Sequence, residues 1–443
     1  MIDPHGTRTG RLGSLALPSD APARLREALG VQTGRAVRLA YVPGPGDVIG
    51  TYARWCANTG DERGVKLAYS GMFYDLAEAT EAEALVCHMT DGDLDAVSDP
   101  CGRIRFAHTP MRWGGGAAAF NAALMTYSLR VLTQLRRFKP DAVILGSVLA
   151  DPVVPFLPGR LIGSVHNTFW PKDAAPDSWI ARRRRVLRSL YGQRLDRAVC
   201  ISQTCAKQLQ AITGSRNVPI RVLRPQLPGR APAAVPKPAR AAGRRLLYVG
   251  RIEEDKGVFD LLRAAEGARC VIPALTLSFV GGGGALGKLR DAAASRTWVT
   301  VHGQRTGAQV EAQMDEADLL VCPTRSSFNE GLATVGIEAL VRGVPSVLSS
   351  VVPAAELLRD ACLVFPSNDE GGLEAALIEG LSVGATRDAL LRGVRDANIG
   401  AFFDRRHAWG TNLFAVMTQR AAPVSVRGSW TDRAPVDEEP HLV

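Results

Sequence analysis

Apolar residues recur along the chain as short continuous runs separated by longer amphipathic stretches. In the first half the runs are VRLAYV (37–42), ALVC (84–87), DAVILG (141–146), LIGSVH (161–166), AVCIS (198–202) and IRVL (220–223). Runs of this length suit strands covered by helices on both faces. Stretches such as 117–137 and 178–194 place apolar residues at helical spacing. The pattern predicts alternating β and α units and hence parallel sheets.

The pattern breaks at 224–243, RPQLPGRAPAAVPKPARAAG, with prolines at 225, 228, 232, 236 and 238. Proline removes a backbone donor and biases its predecessor away from helix, so this stretch reads as a linker. A second series follows: RLLYVG (245–250), LTLSFVG (275–281), WVTVHG (298–303), DLLVCP (318–323), PSVLS (345–349) and CLVF (362–365). The expected organisation is a Rossmann-like domain over 1–228, a Pro-rich linker over 229–243 and a second Rossmann-like domain over 244–400. Residues 401–420 form a closing helix that can return to the first domain, and 421–443 a poorly ordered tail. Two such α/β domains face one another across a cleft, and open α/β sheets bind ligands at the carboxyl ends of their strands.

Length and composition agree with this reading. The 443 residues are 46% hydrophobic and 22% charged, which argues against a disordered, collagen-like or coiled-coil chain. Lys and Arg number 53 against 44 Asp and Glu, a net charge of +9. That balance favours an anionic partner: a phosphate-rich ligand, nucleic acid or an anionic membrane. No apolar run reaches the roughly 18 residues of a membrane-spanning helix. The N-terminus MIDPHGTRTGRLGSLALPSD has no secretory pattern, so a cytoplasmic location is expected. The eight cysteines form no C-x-x-C pair and read as reduced, packed thiols.

The candidate chemistry lies at strand ends. After RLLYVG comes Gly250-Arg251-Ile252-Glu253-Glu254-Asp255-Lys256-Gly257. Two cations five residues apart on one loop can converge on a polyanion, Arg as a planar fork and Lys as a point charge. The bland alternative is a solvated loop whose cations pair with its own acids. After LTLSFV, Gly282, Gly284 and Gly287 match G-x-G-x-x-G. The following strand ends Val301-His302-Gly303-Gln304 without the ribose-binding acid that a dinucleotide site needs. After DLLVCP, Glu330 and Glu338 have seven residues between them, with Gly331-Leu332-Ala333-Thr334 in the interval. Residues 332–340 read as a helix start whose free amides can cradle phosphate. Two surface glutamates at an ordinary helix start have the same spacing.

Taken in order, YVGR-x4-KG, FVGGG, V-x-V-x-G, ADLLVCPT, E-x7-E and EAL-x2-G-x-PSV resemble the donor-binding domain of retaining GT-B glycosyltransferases of glycosyltransferase family 4. The resemblance is strong over roughly 245–370. It implies an α/β GT-B fold, and a nucleotide-diphosphate sugar (UDP- or GDP-linked) as donor. It implies transfer to a hydroxyl of a saccharide or lipid-linked acceptor, in glycan, exopolysaccharide or glycolipid synthesis. Leaving group and nucleophile would meet on the same face of the sugar, with no obligatory metal or other cofactor.

Carried over residue by residue, the resemblance implies that Arg251 and Lys256 bind the diphosphate. Glu330 contacts the transferred sugar and Glu338 the ribose. Gly331, Leu332, Ala333 and Thr334 hold phosphate through their amides. Gly250, His302 and Gly303 are further donor-binding positions. In the first domain, Pro43-Gly44-Pro45-Gly46-Asp47 matches the family's loop over the donor, which implies Gly44, Gly46 and Asp47. Asp47 equally suits a helix N-cap. His166, at the end of LIGSVH, matches a histidine near the reacting sugar, and Ser202 suits an N-cap.

Two departures stand out. The family commonly has Glu-Gly-Phe-Gly-Leu where Leu332 and Ala333 stand here, and Pro-Asn-Gly where Arg224-Pro225-Gln226-Leu227 stands. The Asp91-Gly92-Asp93 pattern reads as a polar turn rather than a metal site, because Ala96 and Gly102 replace the residues a calcium loop needs. Arg182, Arg183, Arg184 and Arg185, beside Trp179 and Ile180, form either a solvated face or a contact with anionic lipid. No nucleic acid is expected. A nucleotide-sugar epimerase of the same architecture, or a catalytically silent nucleotide-binding partner, remains open on sequence grounds.

Overall fold

The structure is a computed structural model that describes residues 6–59, 68–89, 102–111, 116–232 and 244–419. The Asp91–Asp95 turn, most of the Pro-rich linker and the tail lie outside these residues.

Two parallel sheets dominate. The first contains β1 (Arg38–Val42), β2 (Glu83–His88), β3 (Ile104–His108), β4 (Ala142–Leu145), β5 (Arg160–Val165), β6 (Arg197–Cys200) and β7 (Ile220–Val222). Their order across the sheet is β3-β2-β1-β4-β5-β6-β7. The second contains β8 (Arg245–Val249), β9 (Thr276–Val280), β10 (Val299–Gly303), β11 (Leu319–Cys322), β12 (Ser346–Ser349) and β13 (Cys362–Phe365). Its order is β10-β9-β8-β11-β12-β13. Both sheets therefore reverse direction beside their first strand, between β1 and β4 and between β8 and β11. At such a reversal the connecting loops diverge and leave a crevice.

Twelve of these strands coincide with the apolar runs read from the sequence. The exception is β3, IRFAH, in which Ile104 and Ala107 are buried and Arg105 and His108 exposed. The two exposed polar residues break the continuous apolar run that a strand covered on both faces would show.

Helix starts follow local chemistry. Asp47 accepts a hydrogen bond from the Gly50 amide at 2.8 Å and caps the helix Val48–Cys56. Ser202 accepts from the Cys205 amide at 3.2 Å and caps Gln203–Thr213. Each such cap is worth about 1 kcal/mol. One helix departs from the expected bounds. The segment after Glu330 turns helical only at Val335–Val341. Ala333 holds a left-handed φ of 62° and Leu332 is buried, so the first three residues serve packing rather than helix.

The domains meet through packed side chains. One cluster of buried apolar residues runs from Leu145, Cys205 and Leu209 of the first domain to Leu332, Ile337 and Ala354 of the second. The Thr204 hydroxyl donates to Glu356 at 2.7 Å, and Asp173 accepts from Ser350 and Ser367 at 3.1 and 2.6 Å. The chain then crosses back. Helix Trp409–Thr418 packs on the first domain, against helices Ala21–Leu29 and Tyr69–Ala79 and strands β6 and β7. Trp409 is only 2% exposed there; burying a side chain of this size stabilises by about 3 kcal/mol.

Candidate active site

The loops after β8 and β11 form the floor of the second domain's crevice. The Tyr248 hydroxyl donates to the Arg251 carbonyl at 2.6 Å and fixes the start of the first loop. A 3-10 turn, Glu254–Lys256, then carries Lys256 toward the second loop. Lys256 Nζ lies 2.5 Å from Glu330 Oε2, which also accepts from Thr324 Oγ1 at 3.3 Å. The Phe328 ring sits 3.8 Å from the Lys256 ammonium and 5.1 Å from the Arg251 guanidinium. A ring face attracts cations, so Phe328 holds both within reach of one ring. Glu330 is 9% exposed. Burial pushes the nearby Cys322 thiol up to about 12, which removes it as a nucleophile near neutral pH.

The glycine run after β9 has a packing cause. A Cβ on Gly281 would lie 1.8 Å from the Gly250 carbonyl. The Ile252 amide donates to Gly282, and the Gly284 amide donates to Glu253. The run lets two neighbouring loops interlock; it braces the Arg251 loop from behind.

A cleft of about 460 Å³ opens between the two sheets. It collects Gly250, Arg251, Lys256, Glu330, Leu332, Ala333, Thr334 and Glu338 from the second domain. From the first domain come His166, Asn167, Tyr69 and Ile201. Gly331 sits directly beneath its neighbours, with the His166 carbonyl against its α-carbon. The structure thus brings together most of the residues singled out from the sequence. His302 and Gly303 stand apart, at the end of β10, and do not line this cleft. Gly307 and Val310, just beyond them, do.

Gly44, Gly46 and Asp47 line a second, larger cavity of about 1290 Å³ in the first domain. Tyr69, His166 and Asn167 border both spaces, so the two adjoin at the end of β5. The larger cavity is walled by Leu124, Met125, Val148 and Leu187, with Arg184 and Arg188. Residues 112–115, between β3 and the helix Ala117–Phe138, lie outside the described residues.

Arg182, Arg183 and Arg184 are exposed on the helix Trp179–Leu187, and Arg185 is partly buried. Beside them Trp179 and Val186 are 70% and 72% exposed. No helix among the described residues is long and apolar enough to cross a membrane. Among the same residues, no group of three His, Cys, Asp or Glu is arranged to hold a metal ion.

Sequence reasoning gave no role to Tyr69, Asn167, Thr324 or Phe328. Thr324 and Phe328 stood inside recognisable segments without a distinguishing pattern. Tyr69 and Asn167 reach the cleft only through the fold.

Comparison with known proteins bears on the second domain and on the fold. Residues 243–382 match the family model of the glycosyl transferases group 1. Glycogen synthase of Mycobacterium tuberculosis is 26% identical over 272 residues, which cover 58% of this chain and 63% of that enzyme. The match thus spans less than two thirds of that relative. Sucrose-phosphate synthase from Thermosynechococcus elongatus has a similar structure, with a TM-score of 0.61 and 16% identity, over 85% of this chain and 97% of that one. Anabaena HepE, solved in complex with UDP and glucose, gives a TM-score of 0.56 at 16% identity, over 86% and 98%. The fold is therefore that of the GT-B glycosyltransferases, and the second domain matches their group 1 family over residues 243–382.

Proposed function

We propose that this protein is a retaining glycosyltransferase of family 4. It moves a sugar from a UDP- or GDP-linked donor to an acceptor hydroxyl, in glycan, exopolysaccharide or glycolipid synthesis. The observation that carries the reading is the convergence of Arg251, Lys256, Glu330 and Glu338 with His166 on one cleft between two sheet ends.

In this reading the bond from the anomeric carbon to the β-phosphate oxygen breaks, and a bond from that carbon to the acceptor oxygen forms on the same face. The acceptor proton passes to the departing phosphate. The enzyme's task is to stabilise the leaving diphosphate. Arg251, Lys256 and the amides of Gly331 to Thr334 supply fixed positive potential where negative charge develops. Lys256 carries three N–H donors, so its contact with Glu330 leaves others for phosphate oxygens. Glu330 orients the sugar and Glu338 the ribose. Gly250 lets the phosphates approach the end of β8. His302 and Gly303 take part at most from behind, by seating the segment that carries Gly307 and Val310. No metal or other cofactor is required.

The acceptor enters through the first-domain cavity, beside Gly44, Gly46 and Asp47. Its apolar wall with Arg184 and Arg188 suits a saccharide on a lipid-like carrier. Trp179 and Val186, exposed among Arg182 to Arg185, suit peripheral contact with an anionic membrane on the cytoplasmic side.

A thermal-shift panel of UDP, GDP, ADP and their sugars tests the reading. Ligands that bind the folded chain raise its midpoint by mass action. A clear rise with one diphosphate and its sugar is expected; no rise with any of them rejects the proposal.

A further inference from the structure

Trp409, Ser164 and His166 form a hydrogen-bonded line from the closing helix to the cleft. Trp409 Nε1 lies 2.8 Å from Ser164 Oγ. That oxygen lies 2.8 Å from His166 Nε2. Trp409 is 2% and Ser164 3% exposed, so bulk water does not compete for either group. The Tyr69 ring, with its centroid 4.2 Å from that of the imidazole, limits the ring's movement from a second side.

The direction of these bonds follows from chemistry. An indole N–H can only donate, so it occupies a lone pair of the Ser164 oxygen. The hydroxyl retains one proton. Buried hydroxyls place that proton on an acceptor within reach. The Ser164 oxygen has two partners among the described residues, Trp409 and His166. The imidazole is therefore the acceptor, and its Nε2 the unprotonated nitrogen.

The geometry points to a positioning relay: Trp409 donates to Ser164, and Ser164 donates to His166 Nε2. The relay holds the neutral imidazole as the Nδ1–H tautomer. This inference rests on the reading of the cleft as a transferase site. There it gives His166 a definite task. Nε2 accepts from Ser164 and Nδ1 lies buried, so neither nitrogen is open to act as a base. The fixed ring instead holds the end of β5, whose His166 carbonyl packs against Gly331.

The full chain labelled with ¹⁵N-histidine tests the relay by NMR, with the His166 signals assigned through His166→Gln. The wild-type ring is expected to show the Nδ1–H pattern. In Ser164→Ala that pattern is expected to give way to Nε2–H, the tautomer favoured in water. The same variant is expected to lose about tenfold in kcat, the scale of a misplaced contact, with unchanged affinity for UDP or GDP. Ser164→Thr keeps a hydroxyl and is expected to restore both. Trp409→Phe removes only the donor N–H and is expected to lower the Nδ1–H population; it carries the test if Ser164→Ala does not fold. A wild-type ring in the Nε2–H form, or a Ser164→Ala protein with wild-type tautomer and kcat, overturns the relay. Failure of the transferase reading has a different signature: no UDP or GDP binding by a wild-type chain whose tautomer is as expected.

Discussion

A Cβ placed on Gly331 would stand 1.7 Å from the carbonyl oxygen of His166. The residue after Glu330 is thereby pressed against the end of β5 from the other domain, backbone to backbone. Neither partner is a flexible side chain that can swing away. Gly331→Ala is expected to force the two loops apart. Overpacking of this kind costs about 1–3 kcal/mol. A lower unfolding midpoint, together with loss of sugar transfer, is the expected result; a variant with wild-type midpoint and turnover would show that the domains separate freely here.

Glu330 binds Lys256 and, in the proposed reading, faces the sugar. Glu330→Ala is expected to retain the fold and lose on the order of 100-fold or more in turnover. Single-turnover assays with saturating donor separate this loss from weak binding. Full transfer by the variant would remove Glu330 from the site.

Arg251 and Lys256 both lie over the Phe328 ring, and the proposal has them act on the same phosphates. Arg251→Ala with Lys256→Ala is expected to weaken UDP or GDP binding by a factor of ten or more, because each charge-assisted contact is worth about 1.5–3 kcal/mol. Calorimetry reads this directly, and unchanged affinity would reject the diphosphate clamp.

Ala333 adopts φ 62°, a conformation that costs a residue with a Cβ about 1 kcal/mol. Ala333→Gly is expected to relieve that cost, less the entropy that glycine adds to the unfolded chain. The net expectation is a neutral to slightly stabilising change of at most about 1 kcal/mol in chemical unfolding. Marked destabilisation would mean that the methyl group packs productively in the cleft.

Burial, followed by the Arg305 guanidinium, holds the His302 imidazole below its usual value. Burial depresses His407 too, against the pull of Asp404. The folded chain therefore binds fewer protons at these positions than the unfolded chain does. The linked stability is complete above the unfolded value of about 6.5 and is lost as pH falls through the lower folded values. The unfolding midpoint is expected to fall as pH drops below about 6.5, and less steeply in His302→Gln. Identical slopes in both proteins would contradict the assignment.

The apolar runs revealed nearly every strand because a strand covered on both faces needs a continuous apolar sequence. Strand β3 escaped because Arg105 and His108 are exposed and interrupt its apolar sequence. The second-domain side of the cleft was readable for a related reason. Its residues sit at the ends of such runs, within a few positions of glycines that the close loop contacts demand. The first-domain side was less readable. Tyr69 meets His166, and Trp409 meets Ser164, from separate segments, and no local spacing encodes those meetings. The late helix start at Val335 was hidden by Ala333, since nothing about an alanine announces a left-handed backbone. The departure at 224–227 gains a physical role only in the fold, where Gln226 and Leu227 contact Ala401 and Phe402.

That contact has a mechanical consequence. The chain passes between the domains twice, once after β7 and once before Trp409. At these passages the Leu227 amide donates to the Phe402 carbonyl at 2.8 Å, and the Gln226 side-chain amide donates to the Ala401 carbonyl at 3.3 Å. Two strands of covalent chain are thus clamped side by side. A single tether leaves a domain free to swivel about any axis, whereas a clamped pair admits rotation chiefly about the line that joins them. The two crossings thereby limit the ways in which the second domain can turn against the first.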